Sequence, residues 1–120
     1  AYSHPVCTPS RTAWMTGQSP IRTHITNWTF EVDRDTSRDW GGFRSPAWRR
    51  EGIQPHDLTL PKILREAGYR TIHCGKAHFG GYMTAGSDPR NSGFDVNIAG
   101  TAAGAPRSYQ GKDNYGNLRK

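Results

Sequence analysis

Leu60-Pro61-Lys62-Ile63-Leu64-Arg65-Glu66-Ala67-Gly68-Tyr69-Arg70-Thr71-Ile72-His73-Cys74-Gly75 carries the fold reading of this chain. Leu60, Ile63, Leu64 and Ala67 recur at i, i+3, i+4 and i+7, the apolar stripe of an amphipathic helix. Thr59 precedes the run as a candidate cap, Pro61 falls in its first turn, and Gly68 ends it. Arg70 to Cys74 then reads as a short strand stopped by Gly75. Helix, glycine, strand, glycine predicts an α/β architecture. Ligands of such sheets gather beyond the carboxyl ends of the strands, and Lys76 and His78 stand there.

If that segment is extended, residues 76 and 78 point to one face and address the same ligand. Lysine supplies a point charge for an anionic oxygen; histidine donates a hydrogen bond or moves a proton near neutral pH. A K-x-H pair alone also describes a solvated lysine beside a loop histidine. A second stretch, Cys7-Thr8-Pro9-Ser10-Arg11 followed by Thr12 to Gly17, adds to it. Thr8 is an acceptable N-cap, Pro9 suits a first helical turn, and Gly17 is a good residue to follow a last one. The predicted helix covers 9–16, so Cys7 sits just before its N-terminus, where exposed N–H groups favour negative charge. Arg11, one turn along, can reach the same spot. A thiol so placed is either a buried structural group or one pushed toward thiolate.

Together the two stretches resemble the signatures of the sulfatase family. The first, C-x-P-S-R followed by Thr-Gly, is matched by Cys7, Pro9, Ser10, Arg11, Thr16 and Gly17. The second, G-K-x-H-x-G, is matched by Gly75, Lys76, His78 and Gly80 in Gly75-Lys76-Ala77-His78-Phe79-Gly80. Residues 60–71 are similar to the helix-and-strand segment that introduces this second signature, and Gly93-Phe94-Asp95 looks like a weaker landmark. The resemblance spans roughly residues 1 to 100. It implies an alkaline phosphatase-like sandwich with a mainly parallel sheet flanked by helices. Residues 1–120 would be a partial catalytic domain, an internal fragment lacking the first strand and the C-terminal part.

The resemblance also implies a chemistry. A formylglycine-generating or sulfatase-maturing enzyme reads Cys-x-Pro-x-Arg and oxidises Cys7 to formylglycine. One hydroxyl of the hydrated aldehyde attacks the sulfur of a sulfate ester, and the other later expels sulfate. Arg11 would hold the formylglycine, while Lys76 and His78 would bind sulfate oxygens and stabilise the transition state. The family's metal is Ca2+, or sometimes Mg2+, held by oxygens with formylglycine from Cys7 as one ligand. The family's acidic pair from upstream and Asp with Asn from downstream have no match here, since the chain has no adjacent pair of carboxylates. By resemblance the protein is periplasmic or secreted in bacteria, or secretory or lysosomal in a eukaryote. Phosphonate and phosphate ester hydrolases of the same superfamily can share the cysteine signature. The fragment alone is expected to be inactive.

Bulk properties limit the alternatives. A chain of 120 residues accommodates one domain at most, and 33% hydrophobic content with fourteen glycines and eight prolines is lean for an independent core. No apolar run is long enough to span a bilayer. A net charge of +6 favours anionic partners, which include sulfated and phosphorylated substrates as well as nucleic acid. Residues 28–57 read as an irregular loop that mixes Trp28, Phe30, Trp40, Phe43 and Trp48 with Arg34, Arg38, Arg44, Arg49 and Arg50. Stacking rings among cations suit single-stranded nucleic acid. No recognised binding motif accompanies them, so nucleic acid is not the expected partner.

The remaining features carry less. Asp33 and Asp35 lack the glycine of an EF-hand loop, and Gly75-Lys76 is not a P-loop because position 70 is arginine. Cys74 reads as a small buried group ending its strand. His4, His24, His56 and His73 read as loop or strand histidines, Ser19 to Asn27 as a turn and irregular link, and Phe94 to Ile98 as a candidate strand. Asn27-Trp28-Thr29 spells a glycosylation sequon, read as coincidental outside a eukaryotic secretory protein.

Overall fold

Between Leu60 and Ile98 the chain builds the α/β unit expected of it. The computed structural model describes residues 3–105. In chain order its elements are α1 (Cys7–Thr16), α2 (Pro20–Thr23), α3 (Leu60–Glu66), β1 (Ile72–Cys74) and β2 (Val96–Ile98). Two 3-10 turns, Ala85–Ser87 and Pro89–Ser92, lie between the strands. β1 and β2 pair in parallel, with Ile72 opposite Val96, His73 opposite Asn97 and Cys74 opposite Ile98. Such a pair needs a long crossover, and the Lys76–His78 segment lies within it.

Asp95 explains why a Gly-Phe-Asp stretch follows the crossover. Its carboxylate accepts from the Thr71 N–H at 2.8 Å and meets the Arg65 guanidinium at 3.0 Å, so one side chain ties the end of α3 to the start of both strands. Those bonds, led by the Thr71 N–H, hold its carboxyl below the usual carboxylate range.

Helix α1 begins earlier than its sequence predicts. Cys7 is its first residue and not the one before it, and the capping position falls on extended Val6 (φ −117°), which makes no side-chain capping bond. Thr8 is not a cap. It is fully buried, and its hydroxyl accepts the Thr29 N–H at 3.1 Å, a tertiary bond that wins over the local one. Pro9 does lie in the first turn, and Gly17 ends the helix in the left-handed region (φ 68°) with its N–H on the Ala13 carbonyl. The link after it is less irregular than expected, because Pro20 starts the single turn of α2.

Thr59 occupies the cap position of α3, but its hydroxyl donates to the Ser92 carbonyl at 2.5 Å and caps nothing. The apolar stripe is present without being covered, for Leu60 and Ile63 stay 45% and 47% exposed. Leu60 and Leu64 border an open hollow of about 350 Å³ shared with Trp14, Ile72 and Phe94. Cys74 ends β1 as predicted yet is exposed, because the strand buries only its middle residue, His73.

The core lies beside the sheet. Met15 of α1, Ile53 of the irregular loop, and Ala77 and Phe79 after β1 are its buried members, with Phe94 packed against them. Phe79 and Phe94 stack at 6.4 Å, and the His73 ring meets both edge-on. Full burial of Met15, Ile53 or Phe79 contributes about 1.5–3 kcal/mol each. Residues 28–57 form no helix or strand, and have isolated bridges at Glu31–Tyr82 and Trp40–Phe43. They are anchored nonetheless, since the Ile53 N–H donates to the Phe79 carbonyl at 2.8 Å and the Tyr82 N–H to the Phe30 carbonyl at 2.7 Å. Among the described residues no helix is long and apolar enough to cross a membrane.

Candidate active site

Cys7 opens α1, a ten-residue helix whose first turn carries no acidic residue, so its positive end is left uncompensated beside the thiol. The thiol is half-buried and unbridged. It borders an open cavity of about 280 Å³ with His4, Ser10, Arg11 and Trp14. Arg11 lies one turn along the helix, as the spacing requires. Its guanidinium donates to the main-chain carbonyl of Lys76 at 2.7 Å. That bond spans 65 positions of sequence and fastens the start of α1 to the segment leaving β1.

Lys76 is half-buried, and among the described residues its ammonium meets no hydrogen-bond or ion-pair partner. It also lines the larger hollow with Arg11. His78 behaves differently from the sequence expectation. It is not in an extended segment: its φ is +53°, and the turn sends the ring into the interior, where the residue is 3% exposed. Lys76 and His78 thus do not share one extended face. The His78 Nε2 lies 2.8 Å from the Thr29 carbonyl. A carbonyl only accepts, so the neutral ring carries its proton on Nε2 and leaves Nδ1 as an acceptor. Nδ1 is buried and, among the described residues, has no hydrogen-bond partner, and Gly104 stands against the ring.

Burial depresses the His78 pKa below its ordinary value, and the charges of Lys76 and Arg11 push the same way against the Thr29 carbonyl. His73 is depressed as well, chiefly by burial, with Asn97 opposing and the Arg11 charge adding to it. The Arg11 charge therefore bears on both His73 and His78, while its guanidinium holds the Lys76 carbonyl. Two neighbours of this group had no sequence signal. His4 read as an ordinary loop histidine, and Thr29 sat in a stretch without periodicity. Only proximity in three dimensions marks either.

The bond from Arg11 to the Lys76 carbonyl joins the C-x-P-S-R helix start to the G-K-x-H-x-G turn, a contact the sequence reading did not foresee. The family model described as Sulfatase matches residues 1–119. The chain belongs to the sulfatase family.

Among curated sulfatases, the arylsulfatase of Hemicentrotus pulcherrimus is 36% identical over 94 residues, which cover 75% of this chain and 15% of that protein. The steryl-sulfatase of Homo sapiens is 38% identical over 76 residues, 63% of this chain and 11% of its own length. A solved structure described as "Crystal structure of Ps i-CgsB" superposes with a TM-score of 0.52 at 28% identity. It covers 77% of this chain and 17% of that one. The chain thus spans a small part of the sulfatases it matches, and the sulfatase fold is the one its α/β unit belongs to.

Proposed function

We propose that this chain supplies the nucleophile half of the active site of a sulfate ester hydrolase, with Cys7 converted to formylglycine by a maturing enzyme. The observation that carries the reading is the bond from Arg11 to the Lys76 carbonyl, which brings both signatures to one place. Formylglycine, once made, supplies a hydrated aldehyde as nucleophile toward a sulfate ester. The chain's own groups do the rest. Arg11 holds residue 7 in position at the start of the helix. Lys76, whose ammonium has no partner among the described residues, takes an oxygen of the sulfate group. His78 is poised through Nδ1, which donates to an anion only once the ring is protonated, so an arriving sulfate and a proton favour each other there.

The family's divalent metal is a separate matter. Among the described residues no group of three or more His, Cys, Asp or Glu comes together, so residues 3–105 do not fit a complete cage. The roles of Arg11, Lys76 and His78 stand without it. Residues 1–120 are accordingly read as part of a catalytic domain, inactive in isolation, within a protein of secretory or periplasmic address. The test is mass spectrometry and turnover of the full-length protein made with a maturing enzyme. The Cys7 peptide should weigh about 18 Da less than its thiol form. Aryl sulfate should be turned over faster than an aryl phosphonate monoester. Full activity with an unmodified thiol would sink the reading, and a preference for the phosphonate would reassign the substrate.

A further inference from the structure

Thr29 lies in the irregular 28–57 stretch, yet it is 1% exposed. Both of its main-chain groups are engaged across the interior. Its N–H donates to the Thr8 hydroxyl at 3.1 Å, and its carbonyl accepts from His78 Nε2 at 2.8 Å. Thr8 is itself fully buried and adjoins Cys7 in α1. One residue of an irregular stretch thus stands between the residue beside Cys7 and the histidine of the second motif. His78 needs such a holder. Its backbone is in the left-handed region that ordinary side chains avoid, and among the described residues its ring finds its one hydrogen bond at Thr29.

We infer that Thr29 is a positioning residue, a main-chain clamp pinned by the Thr8 hydroxyl that fixes the orientation and tautomer of His78 relative to Cys7. The assignment rests on the sulfate-ester reading above. It predicts which atoms matter. The Thr8 hydroxyl is essential because it receives the Thr29 N–H. The Thr29 hydroxyl, 3.4 Å from that of Thr8, is secondary.

The experiment uses full-length protein made with the maturing enzyme, with kcat/KM on an aryl sulfate divided by the modified fraction of Cys7. Thr8→Val should lower it about tenfold through displacement of His78. Thr8→Ser should restore it, and Thr29→Val, which keeps both main-chain groups, should stay within about threefold of wild type. In a His78→Gln background, Thr8→Val should cost no more than about twofold further, because the two act as a unit. Independent losses in the double variant, or Thr8→Val at the wild-type rate, would overturn the clamp while leaving the hydrolase reading intact. Wild-type protein without turnover would remove both. Ring 15N signals of His78 in the wild type give a readout that needs no variant. A neutral ring protonated at Nε2 supports the clamp, and one protonated at Nδ1 overturns it.

Discussion

Gly52→Ala, compared with Gly68→Ala, measures how tightly the irregular loop is locked onto the catalytic segment. Both glycines have positive φ, +76° and +86°, so alanine at either costs about 1–2 kcal/mol of backbone strain. Their surroundings differ. A Cβ on Gly68 meets nothing within 4 Å. A Cβ on Gly52 would lie 2.1 Å from the Phe79 carbonyl oxygen and 2.3 Å from the Gly80 Cα, both main-chain atoms that no rotamer change can move. Overpacking of that kind adds about 1–3 kcal/mol, giving about 2–5 kcal/mol in all. The strain falls on the Ile53 N–H to Phe79 carbonyl bond, one residue from His78. Hydrogen exchange read by mass spectrometry on full-length protein is the direct assay. At about 1.4 kcal/mol per tenfold, amides around Ile53 should exchange roughly thirty- to several-thousandfold faster in Gly52→Ala. Those around Gly68 should accelerate only about five- to thirtyfold in Gly68→Ala. Equal acceleration at the two sites would refute the close packing of residues 52 and 79–80.

Two further outcomes follow from the site. Arg11→Ala removes a charge-assisted bond to the Lys76 carbonyl, worth about 1.5–3 kcal/mol, so kcat/KM per modified Cys7 should fall by about tenfold to a hundredfold or more. A change below threefold would show that Arg11 does not set the geometry. The pH dependence of stability has a defined sign. His73 and His78 are held below the ordinary value of 6.5, so the unfolded state binds protons first. Their contribution is complete above about pH 6.5 and is lost as pH falls through and below it. Urea midpoints between pH 7.5 and 5 should slope less in His78→Gln than in wild type, and an unchanged slope would exclude His78 as a source.

Legibility in the sequence followed the range of the forces involved. The helix at 60–66, the strand at 72–74 and the left-handed residue at Gly17 were readable because period, proline and glycine act over a few residues. The cap of α1 was misplaced for the opposite reason. Thr8 is a sound local cap, but Thr29 lies 21 positions away and takes its hydroxyl. Thr59 likewise turns its hydroxyl to Ser92, 33 positions on. The shared face of Lys76 and His78 failed because the backbone at His78 turns to a positive φ that no pattern of residue types announces.

By itself the sequence determined the two motifs, the α/β unit that carries the second of them and membership of the sulfatase family. Each of these depends on residue identity at short spacing. Tertiary structure alone decided that Arg11 binds the Lys76 carbonyl, that His78 is buried with Nε2 against the Thr29 carbonyl, and that Thr29 joins it to the Cys7 helix. Those facts depend on which distant main-chain groups are left without partners once the core around Phe79 has formed. Burial then makes each of them take the nearest one.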